Sequence, residues 1–346
     1  MRARLIWISR WLLRAGVSAG LIYLLLRHAE FGELADHVAG ISLGWFAIAT
    51  LIKGAGILAG IIRWRLLLAG LDLRFSAFDL GGAYLIGRFF GSFLPSTIGL
   101  DGYRTYYAAV RSREAAHTIA VTAVEKLIGL LALSLLALAA MALSGEMLPA
   151  RYRAMLAGAL CVPILLSALM LARPTLFGRI ARWFRGRGGK ISTELAKMSD
   201  AVARFGEQKK TLGAAVLLGL VVHGGTSAMY IATAKAVGAE IAWAPVLAIG
   251  PLMIAATLVP LSIAGIGVRE ATYVFFLAKL GVPAEQAALL GFLGFMAGEV
   301  YSLTGGVVWA LRPASRPEEG LGLLDVVRRA ADWAGGRKPN PEAAEP

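Results

Sequence analysis

The chain has 346 residues, of which 58% are hydrophobic and only 16% are charged, and its mean hydropathy is +0.67. Soluble domains contain about 45–50% apolar and about 25% charged residues, so this composition excludes an ordinary soluble enzyme and is typical of a protein embedded in a bilayer. The formal net charge of +13 does not indicate nucleic-acid binding, because the Lys and Arg residues lie in loops between apolar runs.

Apolar runs long enough for membrane helices follow one another along the chain. A helix needs about 20 apolar residues to cross the hydrocarbon core, and only a helix satisfies its own backbone there. In chain order the predicted helices are Trp7–Leu26, Leu43–Leu67, a shorter Phe78–Leu94, His117–Leu143, Ala154–Ala172, Thr211–Val237, Ala244–Leu258, a short Val268–Leu280 and Ala284–Leu311. The fold class is therefore an all-α polytopic helical bundle.

Basic residues predict which side of the membrane each loop occupies, because cytoplasmic loops carry an excess of Lys and Arg. The polar stretch 173–210 carries ten Lys and Arg residues and is assigned to the cytoplasm together with the N-terminal arginines. The other arginines that mark cytoplasmic segments are Arg63, Arg65, Arg74, Arg111, Arg113, Arg312, Arg316, Arg328 and Arg329. The loops 27–42 and 238–243 are acidic and are assigned to the outside. Both termini are then cytoplasmic. One loop contradicts the scheme, since Arg151 and Arg153 fall on the outer side.

This orientation requires each of two segments to enter and leave the membrane at the same face. Segment 78–114 does so at the inner face and segment 244–281 at the outer face. Each contains the pattern P-x-S/T-I-x-x-x-G-x-R, at Pro95–Arg104 and at Pro260–Arg269, with a constant offset of 165 residues. Two re-entrant or broken hairpins inserted from opposite faces indicate an inverted repeat, which is typical of transporters.

The repeat divides the chain into two membrane units and a tail. Residues 1–145 comprise two spans, the hairpin 78–114 and the span 117–143. Residues 146–312 comprise the spans 154–172 and 211–237, a cytoplasmic amphipathic stretch over 173–210, the hairpin 244–281 and the span 284–311. Residues 313–346 form a cytoplasmic tail.

Charged side chains inside apolar segments are the candidate substrate ligands, because such residues in a membrane are usually functional. Arg104 and Arg269 follow the hairpin breaks, and a guanidinium makes bidentate contacts to phosphate. The alternative is that both arginines extend to the membrane interface. The remaining candidates are the nearby hydroxyls and the other intramembrane charges: Ser96, Thr97, Ser262, Arg88, Asp101, Glu125, Glu270 and Glu299.

The acidic candidates have two open interpretations. Glu125 and Glu299 either act in transport, by pairing with the hairpin arginines when substrate is absent or by relaying protons, or form purely structural salt bridges. Asp101 and Glu270 hold the hairpin turns through local bonds or pairing with an arginine. Residues that permit tight turns are assigned to hairpin geometry: Pro95, Gly99, Gly102, Pro260, Gly265 and Gly267. No catalytic or phosphate-loop motif and no metal-ligand spacing occurs in the sequence, so no catalytic residue, metal or cofactor is expected.

Three motifs together resemble the flippase-like, lysylphosphatidylglycerol synthase transmembrane family: FFGSFLPSTIGLDGYR at Phe89–Arg104, VEKLIGLLAL at Val124–Leu133 and VPLSIAGIGVREA at Val259–Ala271. The departures are Leu100 and Ala264, where the family commonly has glycine, and Lys126, where it commonly has arginine. Only 35 residues follow Leu311, so a stand-alone membrane domain without the soluble synthetase domain is expected.

The resemblance implies movement or handling of amphipathic lipids in a bacterial inner membrane. The leading expectation is a lipid flippase or transporter that moves an anionic phospholipid, or another lipid-linked headgroup such as a polyisoprenoid phosphate, and is not an enzyme. The alternatives are an intramembrane transferase, or an accessory subunit of glycolipid, hopanoid or aminoacyl-phospholipid metabolism, and a scaffold without transport. Expected partners are membrane lipids, with a homo-oligomer or a biosynthetic enzyme as further possibilities, and no nucleic acid.

Overall fold

The computed structural model describes residues 38–93, 98–143, 150–173, 190–243, 246, 250, 267–278 and 281–311. The helices of this part are α1 Leu43–Gly70, α2 Ala77–Phe93, α3 Ile98–Ser112, α4 Ala115–Leu143, α5 Ala150–Ala172, α6 Lys190–Glu207, α7 Lys209–Ala236, α8 Val268–Leu277 and α9 Ala284–Leu311. No strand occurs among these residues, so the predicted all-α fold is confirmed. The predicted span Trp7–Leu26, nearly all of Ala244–Leu258, the amphipathic segment at 174–189 and the tail lie outside the described residues.

Four of these helices, α1, α4, α7 and α9, are long and apolar enough to cross a membrane. Each has 28 or 29 residues, which corresponds to about 42 Å of helix and exceeds the roughly 30 Å of a hydrocarbon core. The predicted limits agree with the observed ones to within three residues, and those of α9 are identical. Uniformly apolar runs predict such helices well because every backbone group is paired within the helix.

The segment predicted as the first hairpin forms two helices, α2 and α3, that pack on each other. At the open end of this pair, Arg111 Nη1 lies 3.4 Å from Asp79 Oδ1 and also donates to the Tyr107 hydroxyl at 2.6 Å. The beginning of α2 and the end of α3 therefore lie at the same end of the bundle. Gly70 lies near that end too, because only six residues separate it from Ala77 at the beginning of α2.

Helices from the two predicted repeats pack directly on each other. α1 packs along α7, α2 along α9, α4 against α7 and α9 against α1. The offset of 165 residues makes α7 equivalent to α1, α8 equivalent to α3 and α9 equivalent to α4. The α1–α9 contact then corresponds to the α7–α4 contact, and the α3–α4 contact corresponds to the α8–α9 contact. Any internal two-fold repeat, parallel or inverted, would produce this pairing. Much of the second hairpin lies outside the described residues, so the inverted repeat stays a prediction.

The buried apolar side chains form two clusters. One surrounds Trp64 of α1 and includes Phe90 of α2 and Tyr107 of α3. Helix α6, which the sequence did not predict as a separate element, joins this cluster through the buried Phe205. The other cluster contains Tyr230 of α7, Tyr273 of α8 and further residues of α9. The first cluster surrounds the polar site described below.

Glycines let α9 approach α2 closely. A Cβ added at Gly305 would overlap the backbone of Leu85 and lie 3.0 Å from the Ile86 nitrogen. By contrast, a Cβ added at Gly81 of α2 would meet no atom within 4 Å. Small residues at the contacts between membrane helices generally allow the two backbones to approach closely.

Alanine substitution at these two glycines is expected to change stability in opposite directions. Gly81→Ala should stabilise the protein by about 0.5–1 kcal/mol, because alanine has the higher helix propensity. Gly305→Ala should destabilise it by about 1–3 kcal/mol, because the added methyl group forces α2 and α9 apart. Unfolding of the purified protein in mixed micelles with increasing SDS measures both changes. Equal shifts for the two variants would contradict the close α2–α9 contact.

Candidate functional site

Arg104 lies in α3 and is almost completely buried, with 4% of its surface exposed. Its guanidinium lies over two aromatic rings, 5.1 Å from the ring centre of Trp64 in α1 and 4.8 Å from that of Tyr84 in α2. Cation–π contacts of this kind stabilise a guanidinium that has lost its water. Arg104 is therefore buried within the protein, whereas its depth in the membrane stays a prediction.

Two carboxylates neutralise this arginine. Arg104 Nη2 lies 2.6 Å from Asp101 Oδ1, one helical turn earlier in α3. Arg104 Nη1 donates to Glu125 Oε1 of α4 at 3.3 Å. Asp101 also forms an ion pair with Lys126, the neighbour of Glu125 in α4. The structure thus brings Glu125 and Asp101 together on Arg104, and the role of these contacts in substrate binding stays a prediction.

A second buried arginine shares the same glutamate. Arg63 of α1 donates from Nη2 to Glu125 Oε1 at 2.9 Å, and both side chains are less than one-tenth exposed. We call the five residues Arg63, Asp101, Arg104, Glu125 and Lys126 the Arg104 cluster. It has three cationic and two anionic side chains, so it carries one excess positive charge.

The two arginines of this cluster hold buried N–H groups that the protein does not use. Nε of Arg104 and both Nε and Nη1 of Arg63 are buried without a hydrogen-bond partner. Such groups are costly to bury, and a ligand with several acceptor oxygens would satisfy them. Together with the excess positive charge, these donors suit a phosphate group, which guanidinium binds through two parallel hydrogen bonds.

The Arg104 cluster has one exposed edge. The Lys126 side chain is 48% exposed, whereas the Asp101 carboxylate that it contacts is 12% exposed and Arg104 lies deeper. A ligand that arrives at Lys126 would therefore meet a cation first and the buried arginines next.

The predicted hairpin glycines have different roles. A Cβ at Gly99 would lie 2.6 Å from the Gly91 Cα, so Gly99 permits the close contact of α3 with α2. Gly102 does not have the predicted role, because it lies inside α3, has no positive φ and has no atom within 4 Å of an added Cβ. The correction has a physical reason, since a glycine within a continuous helix needs no special backbone conformation. Pro95, Ser96 and Thr97 lie outside the described residues.

The second hairpin is described only from its second helix onward. Gly267 precedes α8 with a φ of +85°, as predicted, and its N–H donates to Glu270 Oε2 at 2.6 Å. The prediction that Glu270 stabilises the turn through a local bond is confirmed. Pro260, Ser262 and Gly265 lie outside the described residues, as does the side chain of Arg269.

Arg88 and Glu299, the other two predicted ligands, are not part of the Arg104 cluster. Arg88 Nη2 donates to the Gly298 carbonyl at 3.0 Å, and Glu299 Oε2 accepts the Ser92 hydroxyl at 2.6 Å. Glu299 is also not the repeat equivalent of Glu125, because the offset of 165 residues pairs Glu125 with the buried Leu290.

Sequence reasoning missed Arg63 as a site residue. It was used only to assign the loop after the second helix to the cytoplasm, yet it lies within the predicted span Leu43–Leu67. An ionisable residue inside a predicted span is a functional candidate, and this signal was sufficient to find it. Lys53 lies in the same span and belongs to the polar contacts around Arg88, as described below.

The family comparison agrees with the motifs. The model of the lysylphosphatidylglycerol synthase TM region matches residues 11–301, which is most of the chain. A search of curated proteins found no match. The matched region contains every residue of the Arg104 cluster and both hairpins. Its extent shows that this membrane protein, related to lipid metabolism, belongs to the lysylphosphatidylglycerol synthase transmembrane region family.

Proposed function

We propose that this protein is a lipid flippase or transporter that moves an anionic phospholipid or lipid-linked headgroup across the bacterial inner membrane. The observation that carries the proposal is the Arg104 cluster, in which two buried arginines share one glutamate and keep unused N–H donors. A phosphate entering this cluster gains charge-assisted hydrogen bonds that are stronger inside the bundle than in water.

Carboxylates in the cluster keep the arginines in place when no lipid is bound. A buried guanidinium without a counter-charge costs several kcal/mol, and Glu125 and Asp101 offset that cost. An arriving phosphate competes with these carboxylates for the same donors. Binding is therefore reversible, which a transporter needs because its substrate must leave again.

The lipid tails have no need to enter the bundle. The exposed Lys126 marks the edge at which a headgroup reaches Arg104 while its acyl or isoprenoid chains remain among the surrounding lipids. In this proposal Ser96, Thr97, Ser262 and Arg269 supply further donors from the hairpin breaks. The same proposal assigns both chain termini to the cytoplasm.

Headgroup exchange by the native chain tests this function. In proteoliposomes that contain fluorescent phosphatidylglycerol, dithionite bleaches only the outer leaflet unless lipid crosses the membrane. A flippase is expected to make nearly all of the fluorescence accessible, and protein-free vesicles should retain about half. Native protein without any exchange would contradict the proposal. A modified lipid formed without exchange would instead indicate an intramembrane transferase.

A further inference from the structure

A second group of polar side chains lies between four helices, away from the Arg104 cluster. Lys53 Nζ of α1 lies 3.5 Å from the Thr226 hydroxyl of α7. Arg88 and Ser92 of α2 contact Gly298 and Glu299 of α9, as described above. We call the five residues Lys53, Arg88, Ser92, Thr226 and Glu299 the Arg88 cluster. All of them are partly buried, and the helices that carry them pack on one another.

Two cations converge on one glycine in this cluster. A Cβ at Gly298 would lie 3.2 Å from Arg88 Nη2 and 3.5 Å from Lys53 Cε. The two side chains thus approach the same surface of α9, and they do so because that surface has no side chain. A phosphate bound beside these two side chains would make favourable electrostatic contacts with both cations.

Arg88 also has unused binding capacity. Its Nη2 bonds to a backbone carbonyl, and its Nε is buried without a hydrogen-bond partner. The carboxylate in the cluster, Glu299, accepts the Ser92 hydroxyl. The charged side chains of the Arg88 cluster are thus Lys53, Arg88 and Glu299.

The two clusters lie at different depths. Lys53 and Arg63 are ten residues apart on α1, which corresponds to about 15 Å along the helix axis. Arg63 is the nearer of the two to Gly70, at the end of the bundle where α2 begins and α3 ends. On α2, Arg88 lies one turn beyond Tyr84, whose ring contacts Arg104. The Arg88 cluster is therefore the deeper group, adjacent to the Arg104 cluster.

We propose that the Arg88 cluster is a second binding site for the phosphate of an anionic lipid, reached after the Arg104 cluster as the headgroup crosses the membrane. The inference rests on the proposed function for its role in transfer. Two cationic sites at different depths divide the crossing into two shorter steps, so the phosphate leaves one set of guanidinium donors for another.

Counting bound lipids tests the site independently of transport. The probe is dihexanoyl phosphatidylglycerol, added to the detergent-solubilised full chain and counted by native mass spectrometry. The native chain should bind two molecules, and Lys53→Met and Arg88→Gln should each bind one. Matched controls are Lys235→Met, which removes a lysine near the far end of α7, and Arg65→Gln, which removes an exposed arginine of α1. Both controls should still bind two.

Several results would overturn the site. They are a native chain that binds one lipid, variants that bind as many lipids as the native chain, and controls that lose the same molecule. Excess inorganic phosphate should displace the second lipid, and failure to do so would overturn the phosphate assignment. Should Arg88→Gln not fold, Lys53→Met and Arg88→Lys decide the question, with Arg88→Lys expected to bind the second lipid about ten-fold more weakly.

The same variants separate this site from the proposed function. In proteoliposomes, Lys53→Met and Arg88→Gln are expected to slow phosphatidylglycerol exchange at least ten-fold, while both controls keep the native rate. Two bound lipids in a native chain without exchange would contradict the flippase and leave the second site standing. Native exchange that persists unchanged in both variants would refute the second site as a step of transfer and leave the flippase standing.

Discussion

Arg104→Ala is expected to slow headgroup exchange about ten- to a hundred-fold. The Arg104 guanidinium lies over the rings of Trp64 and Tyr84, and no other cation among the described residues occupies that position. Each charge-assisted hydrogen bond lost to phosphate costs about 1.5–3 kcal/mol, and about 1.4 kcal/mol corresponds to a factor of ten. Dithionite bleaching of fluorescent phosphatidylglycerol in proteoliposomes measures the rate.

Conservative and matched variants separate binding from folding. Arg104→Lys keeps the charge and loses the planar fork, so it should give an intermediate rate. Arg111→Ala removes an arginine from the same helix that contacts Asp79 and Tyr107 at the bundle end, and it should leave the rate close to native. Exchange that is present and indifferent to Arg104→Ala would refute the phosphate site while leaving a transporter possible.

The repeat in the sequence extends this prediction to the second hairpin. Arg269 occupies the position of Arg104 in the shared pattern, so Arg269→Ala should slow exchange to a similar degree. A loss confined to Arg104 would mean that one half of the protein binds the headgroup and the other half serves another role.

The long spans and one ion pair of the site were accessible from sequence. An uninterrupted apolar run predicts a helix because lipid leaves the backbone no other partner, and α9 begins and ends where the run does. The contact of Arg104 with Glu125 matches one of the interpretations of the sequence, in which opposite charges in neighbouring apolar segments pair with each other. Local chemistry also predicted the bond between Glu270 and Gly267.

What the sequence did not predict depends on contacts between distant segments. Arg63 and Glu125 are 62 residues apart, and no sequence feature of either segment indicates that α1 and α4 are in contact. The contact of Lys53 and Arg88 with the same face of Gly298 requires three helices to be placed at once. The role predicted for Gly102 was wrong because it was inferred from the pattern that the two hairpins share. The backbone at Gly102 is part of a regular helix, in contrast to that at Gly267.

Glu125→Ala is expected to be the most destabilising single substitution in the Arg104 cluster. Among the residues that the structure describes, Glu125 is the carboxylate that contacts both buried arginines, through Arg63 Nη2 at 2.9 Å and Arg104 Nη1 at 3.3 Å. Its removal leaves Arg63 without its ion-pair partner and Arg104 with Asp101 alone. Breaking a buried ion pair by removing one partner costs about 3–5 kcal/mol, because the remaining charge stays buried.

A double variant and an exposed control determine whether buried charge is the cause. Arg63→Met in the Glu125→Ala background should recover part of the lost stability, because it removes the cation that the first substitution left unpaired. Glu114→Ala breaks a half-exposed contact with His117 and should cost less than about 1 kcal/mol. SDS-driven unfolding in mixed micelles measures all three. If Glu125→Ala costs no more than Glu114→Ala, or if Arg63→Met destabilises it further, Glu125 does not hold the two arginines. The cluster would then lack the compensating charge that allows it to stay assembled without a lipid.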